Sequence, residues 1–163
     1  MMFVHLAPEK RVKSILRNGI SRLRKHKAGI LGVFAMPVMR NFYVSHQWLR
    51  ELKRRGQGAI TGIYFRIPDD EIVWVGHYNQ AHQSMTAAEA AATILAAESS
   101  EGFEVIIPRR IAPKEVHRTR ELPQVVGWRY YPGSHGRRPC GCPFCQRGEF
   151  GARRLREKYE AGL

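Results

Sequence analysis

The chain has 163 residues, of which 44% are hydrophobic and 25% charged, a composition that predicts one folded domain and excludes a largely disordered chain. It holds no apolar run near the roughly 18 residues that a membrane span needs, and charged side chains from Glu9 onward precede any apolar stretch typical of a signal peptide. The net charge is +13, and we expect a soluble, cytoplasmic protein that has no membrane partner.

The first part of the chain is predicted to alternate strands and helices. Pro8 suits the first turn of a helix, where the N–H that it lacks has no partner, and Gly19 suits a helix end. Apolar side chains recur at helical spacing between these residues and again after Phe42. The predicted elements are a strand over residues 2–6, a helix from Pro8 to Gly19, a strand over residues 30–35, a helix over residues 42–52 that ends near Gly56, and a central strand over residues 59–67.

The remainder of the chain is predicted to hold mostly strands. Thr86 and Glu89 have the spacing of a capping box, which predicts a helix start. The predicted elements are a strand over residues 72–75, a helix over 86–98, a strand over 103–107, short strands over 115–117 and 125–131, a loop over 133–148 and a basic helix over 152–159. This order predicts an α+β fold with a mixed or antiparallel sheet: a domain over residues 1–132, with a basic Cys/His tail over residues 133–163 packed on it.

Two ionisable residues lie within predicted apolar strands. Glu104 is flanked by Phe103 and Val105, and a charge is costly to bury without partners, so its carboxylate is expected to face either solvent or a cleft. His5 lies in the first strand, where a hydrogen-bonded core histidine and a site residue are both compatible with the pattern. Taken singly, neither residue identifies a function.

Taken together with their neighbours, these residues resemble the three motifs of the ADP-ribosyltransferase fold family. In residues 3–20, a strand that holds His5 leads into a helix that closes with Ile-Leu-x-x-Gly-Ile. Residues 32–35 (Gly-Val-Phe-Ala) are similar to the second motif and are followed by a helix that carries Tyr43. Residues 103–108 (Phe-Glu-Val-Ile-Ile-Pro) are similar to the third motif, in which the catalytic Glu opens a strand.

The resemblance implies a split β-sandwich with peripheral helices and a central cleft that binds NAD in a bent form. It implies that His5 bonds a ribose hydroxyl, that Phe34, Tyr43 or both stack on the nicotinamide, and that Glu104 binds the ribose beside the bond that breaks. His5 and Glu104 are thus the catalytic candidates, in a transferase that moves ADP-ribose to an acceptor and releases nicotinamide. A carboxylate suits this chemistry, because it stabilises an oxocarbenium-like cation and can accept the acceptor's proton.

Two departures from the family pattern refine this expectation. The poly(ADP-ribose) polymerase-like branch usually has Tyr where this chain has Phe34, so ring stacking is kept while a hydroxyl hydrogen bond is lost. Gly102 stands where the arginine-modifying branch has a second Glu, which argues against arginine as the acceptor. An NAD-dependent RNA 2′-phosphotransferase of similar fold, and a non-catalytic, zinc-stapled nucleic-acid-binding module, are the alternatives. A toxin and a housekeeping enzyme both fit the sequence.

The charge distribution points to a polyanionic partner such as RNA or DNA. Residues 1–60 carry 13 basic and 2 acidic side chains, and residues 109–163 carry 13 and 5, whereas residues 61–108 carry 1 and 7. We expect the basic segments Arg22–Lys27 and Arg50–Arg55, together with the C-terminal tail, to follow a nucleic-acid backbone. A merely solvated basic surface is the alternative.

The tail holds a candidate zinc site that is separate from the cleft. His135, Cys140, Cys142 and Cys145 offer four ligands within eleven residues, and the Cys-Pro-Phe-Cys segment resembles a zinc knuckle. Four protein ligands are typical of a structural Zn²⁺ site. The spacing between Cys140 and Cys142 is tight, so a histidine from elsewhere could replace His135, and reduced free thiols are the alternative. The candidate replacements are His77, His82 and His117.

Overall fold

Antiparallel pairing joins the described strands into one sheet. The computed structural model describes residues 1–26, 29–54, 58–78 and 80–127. Within these residues the sheet has eight strands. They are β1 (Met2–Pro8), β2 (Arg24–Lys25), β3 (Leu31–Pro37), β4 (Ile60–Arg66), β5 (Ile72–His77), β6 (Gln83–Thr86), β7 (Phe103–Ile107) and β8 (Val116–Glu121).

The strand order along the sheet is β6-β5-β7-β3-β1-β4-β8, and β2 pairs with β3 beside this path. The pairing of β1 with β4 is long and runs from Met2 to Pro8. In contrast, β1 pairs with β3 at only two positions, Phe3 opposite Pro37 and Val4 opposite Met36. The sheet therefore consists of two well-paired parts, β6-β5-β7-β3 and β1-β4-β8, that meet at a narrow junction.

Four α-helices and two 3₁₀ turns flank the sheet in the described part of the chain. The turns are Glu9–Arg11 and Pro113–Glu115, and the helices are α1 (Val12–Asn18), α2 (Phe42–His46), α3 (Leu49–Arg54) and α4 (Ala87–Ala96). Local chemistry fixes several helix ends. Thr86 and Glu89 form a capping box at the start of α4, and the Asn41 side chain accepts a hydrogen bond from the backbone N–H of Tyr43. Gly19 ends α1 with a φ of 71°.

The core lies between the sheet and the helices that cover it. Six of the seven residues of β4 are buried, as expected for a strand in the interior of a sheet. The rings of Phe3 and Phe65, on the paired strands β1 and β4, stack with their centroids 6.2 Å apart. Helix α4 buries the small side chains Ala87 and Ala90 together with Ile94. No helix in the described ranges combines the length and the apolar character that crossing a membrane requires.

The coarse α+β prediction is confirmed, with an entirely antiparallel sheet among the described strands. The single helix predicted over residues 42–52 is wrong, because α2 and α3 are separated by a turn at Gln47 and Trp48. Both side chains bond outside the helix: Gln47 donates to the Ser100 carbonyl and accepts from the Gly102 N–H, and the Trp48 indole donates to the Phe103 carbonyl. These tertiary hydrogen bonds draw the turn toward β7 and interrupt the helical path.

Further differences concern polar or short segments. The basic segment Arg22–Lys27 contains β2, for which no strand was predicted, and the polar strand β6 was not predicted either. Residues 125–127 do not continue as a strand, because the chain turns there with a hydrogen bond from the Val126 N–H to the Pro123 carbonyl. The remaining predictions for residues 128–163, including the domain boundary, the loop and the final helix, lie outside the described residues.

Candidate active site

Glu104 lies near the start of β7, where three strands meet. Its direct partner across the β5–β7 pairing is Gly76. Two residues further along β7, Ile106 stands opposite Phe34 of β3. Because side chains two residues apart, and side chains directly opposite one another, share a face of an antiparallel sheet, Glu104 and Phe34 project from the same face. The Glu104 side chain is 15% exposed, so its carboxylate is largely removed from water.

His82 reaches Glu104 from the next strand of the sheet. It immediately precedes β6, whose residue Gln83 stands opposite Val75, so His82 lies beside Gly76. The Nε2 atom of His82 is 3.3 Å from Oε1 of Glu104, and its side chain is fully buried. The Nδ1 atom lies 3.3 Å from the Gln80 carbonyl oxygen. Burial lowers the pKa of His82 and the nearby His26 lowers it further, which favours the neutral imidazole.

His26 approaches the same carboxylate oxygen from the segment after β2. It follows β2 in a loop that is fixed by a 2.7 Å hydrogen bond from its backbone N–H to the Ile30 carbonyl. Its Nε2 atom is 3.4 Å from Oε1 of Glu104, and its ring centroid is 4.2 Å from that of His82. Two imidazoles and one carboxylate thus converge, with one potential ligand atom from each residue within 4.8 Å of the others.

His5 is bound to the backbone of the neighbouring strand. Its Nδ1 atom is 2.8 Å from the Phe34 carbonyl oxygen, which can only accept, so Nδ1 carries the proton. Burial lowers the pKa of His5 despite this hydrogen bond, and Arg24 and Arg11 lower it further. The imidazole is therefore neutral near pH 7, and its Nε2 atom is a hydrogen-bond acceptor.

A cleft of about 920 Å³ contacts most of these residues. Three of the candidates identified in the sequence, His5, Phe34 and Glu104, line it, together with His26 and the aromatic residues Trp48 and Tyr78. Its lining also includes basic residues from the 3₁₀ turn after β1 and from the segment around β2: Lys10, Arg11, Arg22, Arg24 and Lys25. The cleft therefore combines a shielded carboxylate, the neutral imidazole of His5, aromatic faces and five cations, a combination suited to a flat, negatively charged ligand.

Tyr43 is not among the residues that line this cleft. Its hydroxyl donates a 2.8 Å hydrogen bond to Oε1 of Glu101. Burial raises the pKa of Tyr43, and the Glu101 carboxylate raises it further. The structure thus gathers three of the four candidate cleft residues and gives the fourth a separate partner.

The predicted zinc ligands His135, Cys140, Cys142 and Cys145 lie outside the described residues. Of their candidate replacements, His82 faces Glu104, whereas His117 is exposed on β8 and His77 ends β5 with its ring edge-on to Phe103. Of the basic segment Arg50–Arg55, the side chains from residue 54 onward lie outside the described part of the chain.

The sequence did not identify His26 and His82 as neighbours of Glu104. The convergence depends on the strand register around Gly76 and on the β2–β3 hairpin, which join residues almost 80 positions apart. Comparison of the chain with protein-family models, with curated proteins and with solved structures gives no match.

Proposed function

We propose that the protein is an NAD-dependent ADP-ribosyltransferase, and that NAD binds in the cleft between His5 and Glu104. One observation carries the proposal: residues expected from three motifs that are spread over some hundred positions, His5, Phe34 and Glu104, line a single cleft. An exposed Glu104 directed away from His5 would have argued against it. The narrow β1–β3 junction supports the split β-sandwich that accompanies this activity in the family that the sequence resembles.

The residues suit the proposed reaction step by step. The bond between the ribose C1′ and the nicotinamide nitrogen breaks, and its electron pair leaves with nicotinamide. Glu104 stabilises the positive charge that develops on the ribose, which a shielded carboxylate does more strongly than one in water. The acceptor's oxygen or nitrogen then bonds to C1′ and gives its proton to Glu104, a general-base contribution of roughly 10²–10⁴-fold.

The remaining lining residues suit the binding of NAD. The acceptor nitrogen of His5 can receive a hydrogen bond from a ribose hydroxyl, because Nδ1 is already committed to the Phe34 carbonyl. The Phe34 ring offers an aromatic face for nicotinamide. Arg11, Arg24 and Lys25 lie in the cleft lining, where guanidinium and ammonium groups can bind the pyrophosphate. The same positive surface supports a nucleic-acid acceptor.

Nicotinamide release from NAD tests this proposal. We expect release by the wild-type protein, a rise on addition of the right acceptor, and a loss of at least 100-fold in Glu104→Gln. Glu98→Gln is the matched control, because Glu98 is an exposed carboxylate near β7 that is not among the cleft-lining residues. Parallel samples with DNA, plain RNA and RNA bearing a 2′-phosphate identify the acceptor class.

Two results would redirect the proposal. Nicotinamide release that requires RNA with a 2′-phosphate would favour the alternative function, an NAD-dependent RNA 2′-phosphotransferase. That enzyme would use the same cleft and would also bind NAD. No release under any condition, with retained binding of RNA or DNA, would replace the transferase by a nucleic-acid-binding module. Equal release by wild type and Glu104→Gln would remove Glu104 from the mechanism.

A further inference from the structure

We infer that His26, His82 and Glu104 form a binding site for a divalent transition-metal ion such as Zn²⁺, beside the cleft that His26 and Glu104 line. The site goes beyond the proposed transferase activity and does not rest on it. The two imidazole Nε2 atoms lie 3.3 and 3.4 Å from the same carboxylate oxygen, and one ligand atom from each of the three residues lies within 4.8 Å of the other two.

The two nitrogen–oxygen separations match the geometry that zinc requires. Zinc–nitrogen and zinc–oxygen bonds are about 2.0–2.2 Å long, so two ligand atoms on a tetrahedral ion are about 3.3–3.5 Å apart. Both nitrogen–oxygen distances fall at this separation. Two imidazoles with one carboxylate are a donor set typical of Zn²⁺ and its neighbours in the transition series, and atypical of Mg²⁺ or Ca²⁺, which prefer oxygen ligands.

The hydrogen bonding of His82 supports a metal rather than a hydrogen bond between the side chains. The Nδ1 atom of His82 lies 3.3 Å from the Gln80 carbonyl oxygen, an acceptor, so the ring proton belongs on Nδ1, and Nε2, which is 3.3 Å from Oε1 of Glu104, carries the lone pair. Among the described residues, this fully buried Nε2 atom has no hydrogen-bond partner. A cation bound between two acceptors at this separation satisfies both of them out of water. A carbonyl that binds the second nitrogen is also the usual outer partner of a zinc-bound histidine.

Three ligands leave one position of a tetrahedral ion open. Because His26 and Glu104 line the cleft, that position is directed to the space that a small molecule or water can enter. Open three-ligand sites are typical of catalytic zinc, whereas structural zinc is closed by four ligands. A bound ion would also occupy the carboxylate to which we assign the NAD reaction, so metal and NAD would compete for Glu104.

Metal binding is measured without NAD, so that its outcome is separate from the transferase test. The protein used for this titration is the 163-residue chain with three substitutions, Cys140→Ser, Cys142→Ser and Cys145→Ser. These substitutions remove the tail thiolates as competing ligands. Titration with Co²⁺, a spectroscopic substitute for Zn²⁺, is followed by visible absorption, and Zn²⁺ is followed by calorimetry. We expect one ion per chain, the strong absorption of a four-coordinate cobalt centre, and displacement of Co²⁺ by Zn²⁺.

Substitution of single ligands then identifies the site. We expect His82→Gln and His26→Gln each to weaken binding at least tenfold, and His117→Gln, which changes an exposed histidine on β8, to leave it unchanged. Circular dichroism checks that each variant is folded. If His82→Gln does not fold, His26→Gln, which changes a residue in a loop, still tests the site. The inference is overturned if the cysteine-free chain binds no ion, or if folded His82→Gln and His26→Gln bind as tightly as their parent.

Discussion

Gly76 stands directly opposite Glu104 in the β5–β7 pairing, and the side chain that Gly76 lacks leaves the space that His82 occupies. A Cβ atom at position 76 would lie 3.1 Å from both Cα and Cγ of His82 and 3.1 Å from the Ala81 carbonyl oxygen. Glycine at this position therefore allows an imidazole from one strand to reach across a second strand to a carboxylate on a third.

Gly76→Ala is expected to move His82 away from Glu104 and to lower the free energy of unfolding by about 1–3 kcal/mol, the usual cost of overpacking. Urea unfolding measures the loss of stability, and the NMR shifts of the His82 ring report its displacement. Ser84→Ala, an exposed change on β6, is the control and should leave both unchanged. An unshifted His82 ring in Gly76→Ala would show that the glycine is not what admits the imidazole.

Buried neutral histidines predict lower stability in mild acid. Burial lowers the pKa of His5, His46 and His82 below the usual value near 6.5. Because the unfolded chain then binds protons more readily than the folded one, their contribution to stability is complete above about pH 6.5 and is lost as the pH falls through the folded pKa values. We expect a smaller free energy of unfolding at pH 5.5 than at pH 7.5.

His46 offers a way to test this pH dependence away from the cleft. Its Nδ1 atom bonds the Phe42 carbonyl at 2.7 Å, and its Nε2 atom accepts from the Tyr64 hydroxyl at 2.7 Å. His46→Gln removes one titrating group, so the stability difference between the two pH values should shrink even though the variant is less stable overall. An unchanged difference would assign the pH dependence to other groups.

The two glycines Gly19 and Gly58 share a left-handed φ, 71° and 73°, but differ in their surroundings. At Gly19 a Cβ would overlap the Ile111 carbonyl oxygen, in the bridge that ties the end of α1 to the segment after β7, whereas at Gly58 no described atom lies within 4 Å. Gly58→Ala should cost about 1–2 kcal/mol for the conformation alone. Gly19→Ala should cost more than 3 kcal/mol, because a backbone collision is added. If thermal unfolding showed the same loss of stability in Gly19→Ala and Gly58→Ala, the close approach of Gly19 to the Ile111 carbonyl would be contradicted.

Arg109 is expected to stabilise the segment after β7 through two carboxylates. Its guanidinium donates to both oxygens of Glu71 and both oxygens of Glu115, at 2.6–2.8 Å. Arg109→Met should lower the free energy of unfolding by about 1–3 kcal/mol, since two partly buried carboxylates lose their partner. Arg110→Met, at the exposed neighbouring position, is the control and should have little effect.

The hydrogen bonds between Arg109 and its two carboxylates also predict how stability depends on pH in acid. The hydrogen bonds from Arg109 lower the pKa of Glu115, so the stability they contribute is present above the usual carboxyl pKa and is lost as the pH falls through the lowered one. Arg109→Met should therefore be less sensitive than wild type to acidification below about pH 4.5. A parallel loss of stability in both proteins would mean that Glu115 does not depend on Arg109.

Local patterns predicted the strands with apolar cores and the helices with clear ends. The strand around Glu104 and the helix that begins at Thr86 are confirmed because apolar runs, Pro108 and the capping box are strong local signals. The strands β2 and β6 were missed because their side chains are mostly polar and exposed, and their pairing partners decide their conformation. The break at Gln47 was missed for a related reason, since its cause is a hydrogen bond to residues more than 50 positions away.

The same distinction applies to the site. Glu104, His5 and Phe34, which line one cleft, were predicted because each lies in a short motif that resembles the ADP-ribosyltransferase pattern. His26 and His82 lie in polar segments with no pattern of their own, and only the antiparallel registers of β5, β6 and β7 bring His82 to Glu104. A sequence signal existed in Gly76, because a glycine that directly follows the apolar residues 72–75 indicates a close approach if the strand continues through it.

The position of β7 has a consequence for how the protein is made. This strand is formed late in the chain, yet it lies between β5 and β3, both of which leave the ribosome before it. Until residues 103–107 are synthesised, β5 has no partner on the side away from β6, and β3 has no partner on the side away from β1. Such insertion between earlier strands demands contacts over large sequence separations, which slow folding. A nascent chain that stops before residue 103 would hold two unjoined pieces of sheet with exposed edges, prone to association with each other or with other chains.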